Sequence, residues 1–274
     1  MENNNYLYID SSEDKGDKTR QSRFVIPKTN KIDYLIDEEK YSQALSLIEK
    51  SLKKDDVNYW LLTSEIYDRQ NDYEKSIDSI DHALNIDESD EIKSSKANTL
   101  YKWAKVSYFP ELEYEKALEL IENALEILPK SEDSSEFYFL KGEILEALRE
   151  PVEAKKAYLI AYNEFDKLED FKNQVEYLNT TEDILISISG SYFYNFTPSD
   201  ELVVDLVKED DNEHDPDAIA VYYDNEKIGY VANSDYTLID EVKSASKIKN
   251  SLNDNAQAKI LFVYLDQYII AKVL

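Results

Sequence analysis

The residues best equipped for chemistry crowd into one stretch. Residues 209–219 read Glu-Asp-Asp-Asn-Glu-His-Asp-Pro-Asp-Ala-Ile, which puts Asn212, His214 and Asp215 close together. A histidine beside an aspartate is the raw material of general acid–base catalysis, and carboxylates around a histidine are the raw material of a metal site. The rest of the chain supplies neither partner. His82 is the only other histidine and there is no cysteine, so no ligand pair at zinc spacing can form. Neither histidine neighbours the sharp serine turn of a nucleophilic hydrolase. The glycines, Gly16, Gly142, Gly190 and Gly229, are too scattered to cradle a phosphate. Among 58 Asp and Glu, many carboxylate pairs can be drawn, but a solvated acidic face is the ordinary outcome of such a composition. No catalytic residue, metal or cofactor is therefore expected. Three or more carboxylates converging at metal-ligand distance would reopen a Mg²⁺-dependent nuclease.

The flanks must hold this stretch. Apolar, alternating, β-branched runs at 202–207, 218–223 and 227–231 read as strands. Asp224-Asn225 makes a two-residue turn, so the last two runs form a hairpin. Asp and Asn side chains bond their own backbone and proline fixes φ, so the loop before the hairpin can be rigid. A rigid polar loop on a β scaffold is where binding residues sit. Further on, residues 234–248 read as a helix with Ser234 as N-cap, and 256–264 and 267–273 as closing strands.

The run from Glu209 to Ile219, followed by Ile228-Gly229-Tyr230 and preceded by Gly190-Ser-Tyr192-Phe193-Tyr194, resembles the HIRAN domain. The resemblance covers about the last third of the chain. It implies a small β-barrel of the oligonucleotide-binding kind with one or two helices. It also implies recognition of the 3′ end of single-stranded DNA. Asp215 would then hold the terminal hydroxyl, with His214 and Phe193 stacking on bases. Tyr192, Tyr230 and Asn233 complete the pocket that the resemblance implies. Tyr192 and the segment ending at Asn233 stand where members often carry basic residues. From Asp183 onward there are 17 Asp and Glu against 7 Lys and no Arg, so phosphate neutralisation is scarce. Two readings of His214 and Asp215 stand: a loop held by its own Asx turns, or ligand contact. A lysine cluster around Asp215 would favour DNA, and an acidic rim a protein.

The first half repeats. Tyr41-Ser-Gln-Ala44, Tyr73-Glu-Lys-Ser76, Tyr114-Glu-Lys-Ala117 and a degenerate Pro151-Val-Glu-Ala154 echo one another, each followed by a small residue: Ser51, Ala83, Ala124, Ala161. Ile48, Ile80, Ile121 and Tyr158 lie three positions before those. This grammar resembles the tetratricopeptide repeat, in which small residues let paired helices approach closely and aromatics fill the gaps between units. The longest spacing implies a longer helix or loop near Tyr101 to Leu112, where Pro110 blocks a continuous helix. A further amphipathic stretch, 166–179, is placed to cap the solenoid.

The expected architecture is thus multidomain α + β. Residues 1–30 are a disordered acidic and polar tail, 31–182 an all-α tetratricopeptide solenoid, and 183–274 a small OB-like β-barrel of the HIRAN kind. A net charge of −27 disfavours nonspecific binding to nucleic acid or anionic membrane. No apolar run is long enough to span a bilayer and no signal peptide is visible, which suits the cytoplasm. The expected function is a non-catalytic adaptor. Its solenoid groove takes a protein or peptide partner, and its HIRAN pocket takes a single-stranded DNA end. The alternative is a pure protein–protein scaffold.

Overall fold

The computed structural model describes residues 6–8, 25–234 and 236–274, with side chains from Lys31 onward. Most of the expected polar tail, 1–30, lies outside the described residues. Within it, β1 (Tyr6–Tyr8) pairs antiparallel with β2 (Val25–Pro27). The chain divides into two compact units, Met1–Arg149 and Glu150–Leu274.

The first unit is a run of helices: α1 (Lys28–Asp37), α2 (Tyr41–Ser51), α3 (Val57–Arg69), α4 (Tyr73–Leu84), α5 (Asp90–Tyr108), α6 (Tyr114–Ile127) and α7 (Ser135–Ala147). Each Tyr-x-x-Ala copy opens the second helix of a pair. The small residue of each copy, Ala44, Ser76 or Ala117, and the isoleucine four positions later share one face, and all are at most 1% exposed. Ser76 fits the alanine role because its hydroxyl donates to the Ser64 carbonyl at 3.0 Å, so no buried polar group is orphaned. Helix ends are set locally. Asp56 caps α3 by accepting from the Asn58 N–H, and Asp72 caps α4 by accepting from the Lys75 N–H. Of the two explanations for the long repeat, the helix is correct. α5 runs 19 residues and stops just before Phe109-Pro110, where proline removes a donor and the preceding residue turns extended.

The second unit contains α8 (Pro151–Ala161), α9 (Phe165–Thr180) and six strands: β3 (Leu185–Ser189), β4 (Val203–Lys208), β5 (Ile219–Tyr223), β6 (Glu226–Val231), β7 (Gln257–Tyr264) and β8 (Tyr268–Val273). The strands close into an antiparallel barrel in the order β3-β6-β5-β4-β7-β8. Ile186, Ile188, Leu206, Val221, Ile228 and Ile260 are among the residues filling its interior. The outer face of β3, β7 and β8 is buried as well. Leu185, Tyr264 and Ile270 pack with Leu168, Phe171 and Leu178 of α9, so the stretch read as a solenoid cap lays its apolar stripe on the barrel.

The hairpin turn forms as expected, with Asp224 and Asn225 both at positive φ, 50° and 67°. The helix expected over 234–248 does not. Only α10 (Ala245–Ile248) is helical, and Ser244 precedes it. Ser234 instead closes a turn, its carbonyl accepting from the Thr237 N–H at 2.8 Å. Leu238, Ile239 and Val242 join the cluster beneath α9, while Lys243 N–H bonds the Leu185 carbonyl of β3 at 2.7 Å. Partners on β3 outbid the weak helical preference of a stretch rich in β-branched residues.

Candidate functional site

β4 leads into a loop, residues 209–218, that folds on its own side chains. Asn212 Oδ1 accepts from the N–H of His214 at 3.0 Å and of Asp215 at 3.1 Å. Asp215 Oδ1 accepts from the Asp217 N–H at 2.8 Å, and the Asp215 carbonyl from the Ala218 N–H at 3.0 Å. The bonds to Asn212 and Asp215 Oδ1 make Asx-type turns, in which a short polar side chain replaces a backbone acceptor, and the Asp215 carbonyl bond closes an ordinary backbone turn. Two remote groups fasten the loop to the barrel. Lys249, only 8% exposed, donates to the Pro216 carbonyl at 2.6 Å and pairs with Asp210 at 2.9 Å. Asn233 donates to both carboxylate oxygens of Asp215, at 3.2 and 3.0 Å, while its own Oδ1 accepts from the Ser246 N–H.

Gly229 explains the other half of the motif. A Cβ there would lie 2.5 Å from the Ser189 carbonyl oxygen, so only glycine lets β6 approach β3 and close the barrel. That closure pairs Ser189 with Tyr230. The Tyr230 hydroxyl accepts from Lys227 at 2.8 Å and donates to Glu209 at 3.1 Å, and Lys227 pairs with Glu209 at 2.6 Å. The Lys227 hydrogen bond holds Glu209 below the ordinary glutamate range, and the same bond raises Lys227 above the ordinary lysine range. Glu209 also accepts from Asn212 at 2.8 Å, so this cluster orients the residue around which the loop turns.

Four of the six expected site residues meet. His214, Asp215, Tyr230 and Asn233 line one cavity of about 510 Å³ together with Ser189 and Asn212. Tyr192 and Phe193 do not line it. They sit on a 3-10 turn (Ser191–Tyr194), edge to face at 6.0 Å, and are 87% and 84% exposed. The rim is acidic. Lys227 and Lys249 are held by Glu209 and Asp210, whereas Asp211, Glu213, Asp215 and Asp217 carry no ion pair among the described residues. Lys249 was missed in the sequence because nothing local links it to a proline carbonyl 33 positions earlier. Lys227 and Glu209 flank the motif and could have been found as a charge pair.

The helical unit has two cavities of its own. One, of about 540 Å³, lies between α3 and α5 and is polar, with Glu65, Asp68, Asp87 and Glu91 against Lys102, the single cation among the described residues of its lining. Lys102 bonds Asp68 Oδ2 at 2.6 Å, while Asp68 Oδ1 is buried without a hydrogen-bond partner among the described residues. The other, of about 730 Å³, lies among α4, α5 and α6 with Trp103 and Leu100 in its wall. Among the described residues no three His, Asp or Glu side chains converge to hold a metal ion, and no helix is long and apolar enough to cross a membrane.

No family model matches the chain. It is 34% identical over 131 residues, 47% of its length, to anaphase-promoting complex subunit 3 of Schizosaccharomyces pombe, and it spans 18% of that relative's length. Solved structures of MamA share less. The crystal structure of MamA is 18% identical, with a TM-score of 0.34 over 52% of this chain and 82% of that one. A MamA RS-1 ArsTM double mutant is 16% identical, with a TM-score of 0.34 over 49% and 72%. The likeness to the Schizosaccharomyces pombe subunit supports the tetratricopeptide reading of the helix pairs.

Proposed function

We propose that this chain is a non-catalytic protein scaffold with two binding elements: the helical groove between α3 and α5, and the barrel cavity behind the 209–218 loop. The observation that carries it is the polar α3–α5 cavity, whose lining sets Glu65, Asp68, Asp87 and Glu91 against Lys102. With four carboxylates against one lysine in its lining, the groove suits neutral or basic peptide segments. A peptide-array screen of the whole chain tests this. Neutral and Lys/Arg-containing peptides should dominate, and Asp68→Asn should weaken them; a harvest of mainly Glu/Asp-rich peptides would contradict the reading.

The barrel is read as an OB-like HIRAN module. The loop motif, the fit of Gly229 against β3 and the meeting of His214, Asp215, Tyr230 and Asn233 around one cavity support that reading. The same meeting favours a second function, binding of a single-stranded DNA 3′ end with Asp215 accepting from the hydroxyl. The acidic rim counts against it, because nonspecific affinity for DNA comes from neutralised phosphates. Anisotropy with short oligonucleotides at low salt decides: Asp215→Ala should erase any preference for a 3′-hydroxyl over a 3′-phosphate. Absence of saturable binding removes the DNA reading and leaves the scaffold.

A further inference from the structure

The barrel cavity is built around a carboxylate that makes no ion pair among the described residues. Asp215 is half-buried, and its hydrogen bonds come from neutral groups, the Asn233 amide and the Asp217 N–H. A carboxylate offers about four acceptor positions. Three are occupied, two on Oδ1 and one on Oδ2, so the free position is on Oδ2. Among the described residues no lysine or arginine lines the cavity. Three lysines of the surrounding elements are committed elsewhere, while Lys243 and Lys247, beside and on α10, are exposed and do not line the cavity. Lys227 is bound to Glu209 and Tyr230, Lys249 to Asp210 and the Pro216 carbonyl, and Lys208 to the Leu252 carbonyl at 2.7 Å. Beyond them Asp211 and Glu213 are exposed. An arriving phosphate would meet this carboxylate with no cation in the described lining of the cavity. An arriving cation would meet a fixed acceptor and a favourable field.

We propose that the cavity receives a positively charged nitrogen carried by a peptide, either a lysine or arginine side chain or a free amino terminus. The proposal rests on the scaffold reading and names the group this cavity takes. A volume of about 510 Å³ accommodates one long side chain. The walls match both ends of such a group. Ala218 and Val231 offer apolar surface to an aliphatic stem, and Asp215, Ser189 and Thr237 offer oxygens to its head. Asn233 acts as a positioning residue, since it holds both carboxylate oxygens while being held itself by the first turn of α10.

The test uses the full chain, isotopically labelled, and octapeptides on a Gly/Ser background. One is acetylated with a central Lys, one has a free amino terminus and no Lys, one is acetylated and uncharged, and one is acetylated with a central Glu. A short oligo-dT with a 3′-hydroxyl completes the set. At least one cationic peptide should shift the amides of Val231, Ser234 and Thr237 saturably, and the first two peptides together show whether side chain or terminus is the source. The uncharged peptide, the Glu peptide and the oligonucleotide should not. Asp215→Asn, which keeps the side-chain shape, should weaken the cationic peptide roughly 10-fold or more, as loss of a charge-assisted hydrogen bond does. Asp211→Asn, at an exposed position outside the loop's hydrogen bonds, should weaken it about twofold through the field alone. Saturable shifts from the oligonucleotide and none from the cationic peptides would overturn the proposal. So would cationic binding that ignores both substitutions, or no binding at millimolar peptide. Cationic shifts confined to the α3–α5 groove would overturn it while leaving the scaffold reading standing.

Discussion

Phe171→Ala tests whether α9 belongs to the core of the barrel. The ring is 3% exposed, stacks on Tyr264 of β7 with centroids 5.6 Å apart, and lies under the Lys155 ammonium at 5.2 Å. A buried aromatic removes about 150–200 Å² from water, which at about 25 cal/mol per Å² gives roughly 4–5 kcal/mol. Denatured chains already bury part of that area, so the lower end applies; truncations of this kind cost about 3–5 kcal/mol. Against a domain stability of about 5–15 kcal/mol this is a large fraction. The measurement is urea unfolding of residues 150–274 expressed alone, followed by near-ultraviolet circular dichroism. That fragment should unfold cooperatively and Phe171→Ala should lower its midpoint sharply. A shorter fragment, 183–274, should lack cooperative unfolding, because it leaves Leu185, Tyr264 and Ile270 without the α9 side chains that cover them. Equal midpoints for the two fragments, or a loss below about 1 kcal/mol for Phe171→Ala, would refute the assignment of α9 to the barrel core.

Three further outcomes are expected. Gly229→Ala should destabilise the barrel unit by about 1–3 kcal/mol, since the new Cβ meets a backbone oxygen that cannot rotate away; an unchanged urea midpoint would show that β3 and β6 can separate freely. Ala124→Leu, at a fully buried contact on α6, should cost the helical unit about 1–3 kcal/mol in thermal unfolding, with no effect on the barrel fragment. The Glu209–Lys227 pair fixes a pH window. Glu209 is depressed by its bond to Lys227, so its contribution is present above the unfolded value, near 4.5, and is lost as pH falls through the lower folded value. Lys227 is raised by the same bond, so its contribution is full below 10.5 and is lost as pH rises through the higher folded value. Barrel stability should therefore be flat near neutrality and fall at both extremes, and Glu209→Gln should flatten the acid limb; a midpoint in urea that does not move between neutral and acid pH would exclude the pair as a contributor.

The sequence alone determined what is decided over a few residues. Tyr41, Tyr73, Tyr114 and Pro151 each open a helix with a small residue one turn on, a pattern complete within the helix, and Asp72 adds a side-chain cap before Tyr73. Asp224-Asn225 makes the hairpin because two residues that tolerate positive φ stand side by side. The 209–218 loop was legible as rigid because Asn212 and Asp215 bond backbone within three positions. Only the tertiary structure decided the rest. Residues 234–248 carry a helical pattern, yet the Lys243 N–H bonds β3 and Leu238, Ile239 and Val242 pack with α9, partners no local window contains. α9 looks from its own pattern like a solenoid cap, because an amphipathic stripe records that it must be covered and not by what. Tyr192 and Phe193 share a motif with Asp215 but fall outside its cavity, because Gly190 at φ 77° starts a turn that carries them away from it. Whether that cavity is acidic or basic was likewise out of reach. The lysines are in the sequence, but only the fold shows that Lys227 and Lys249 are already held by Glu209 and Asp210, leaving Asp215 unbalanced.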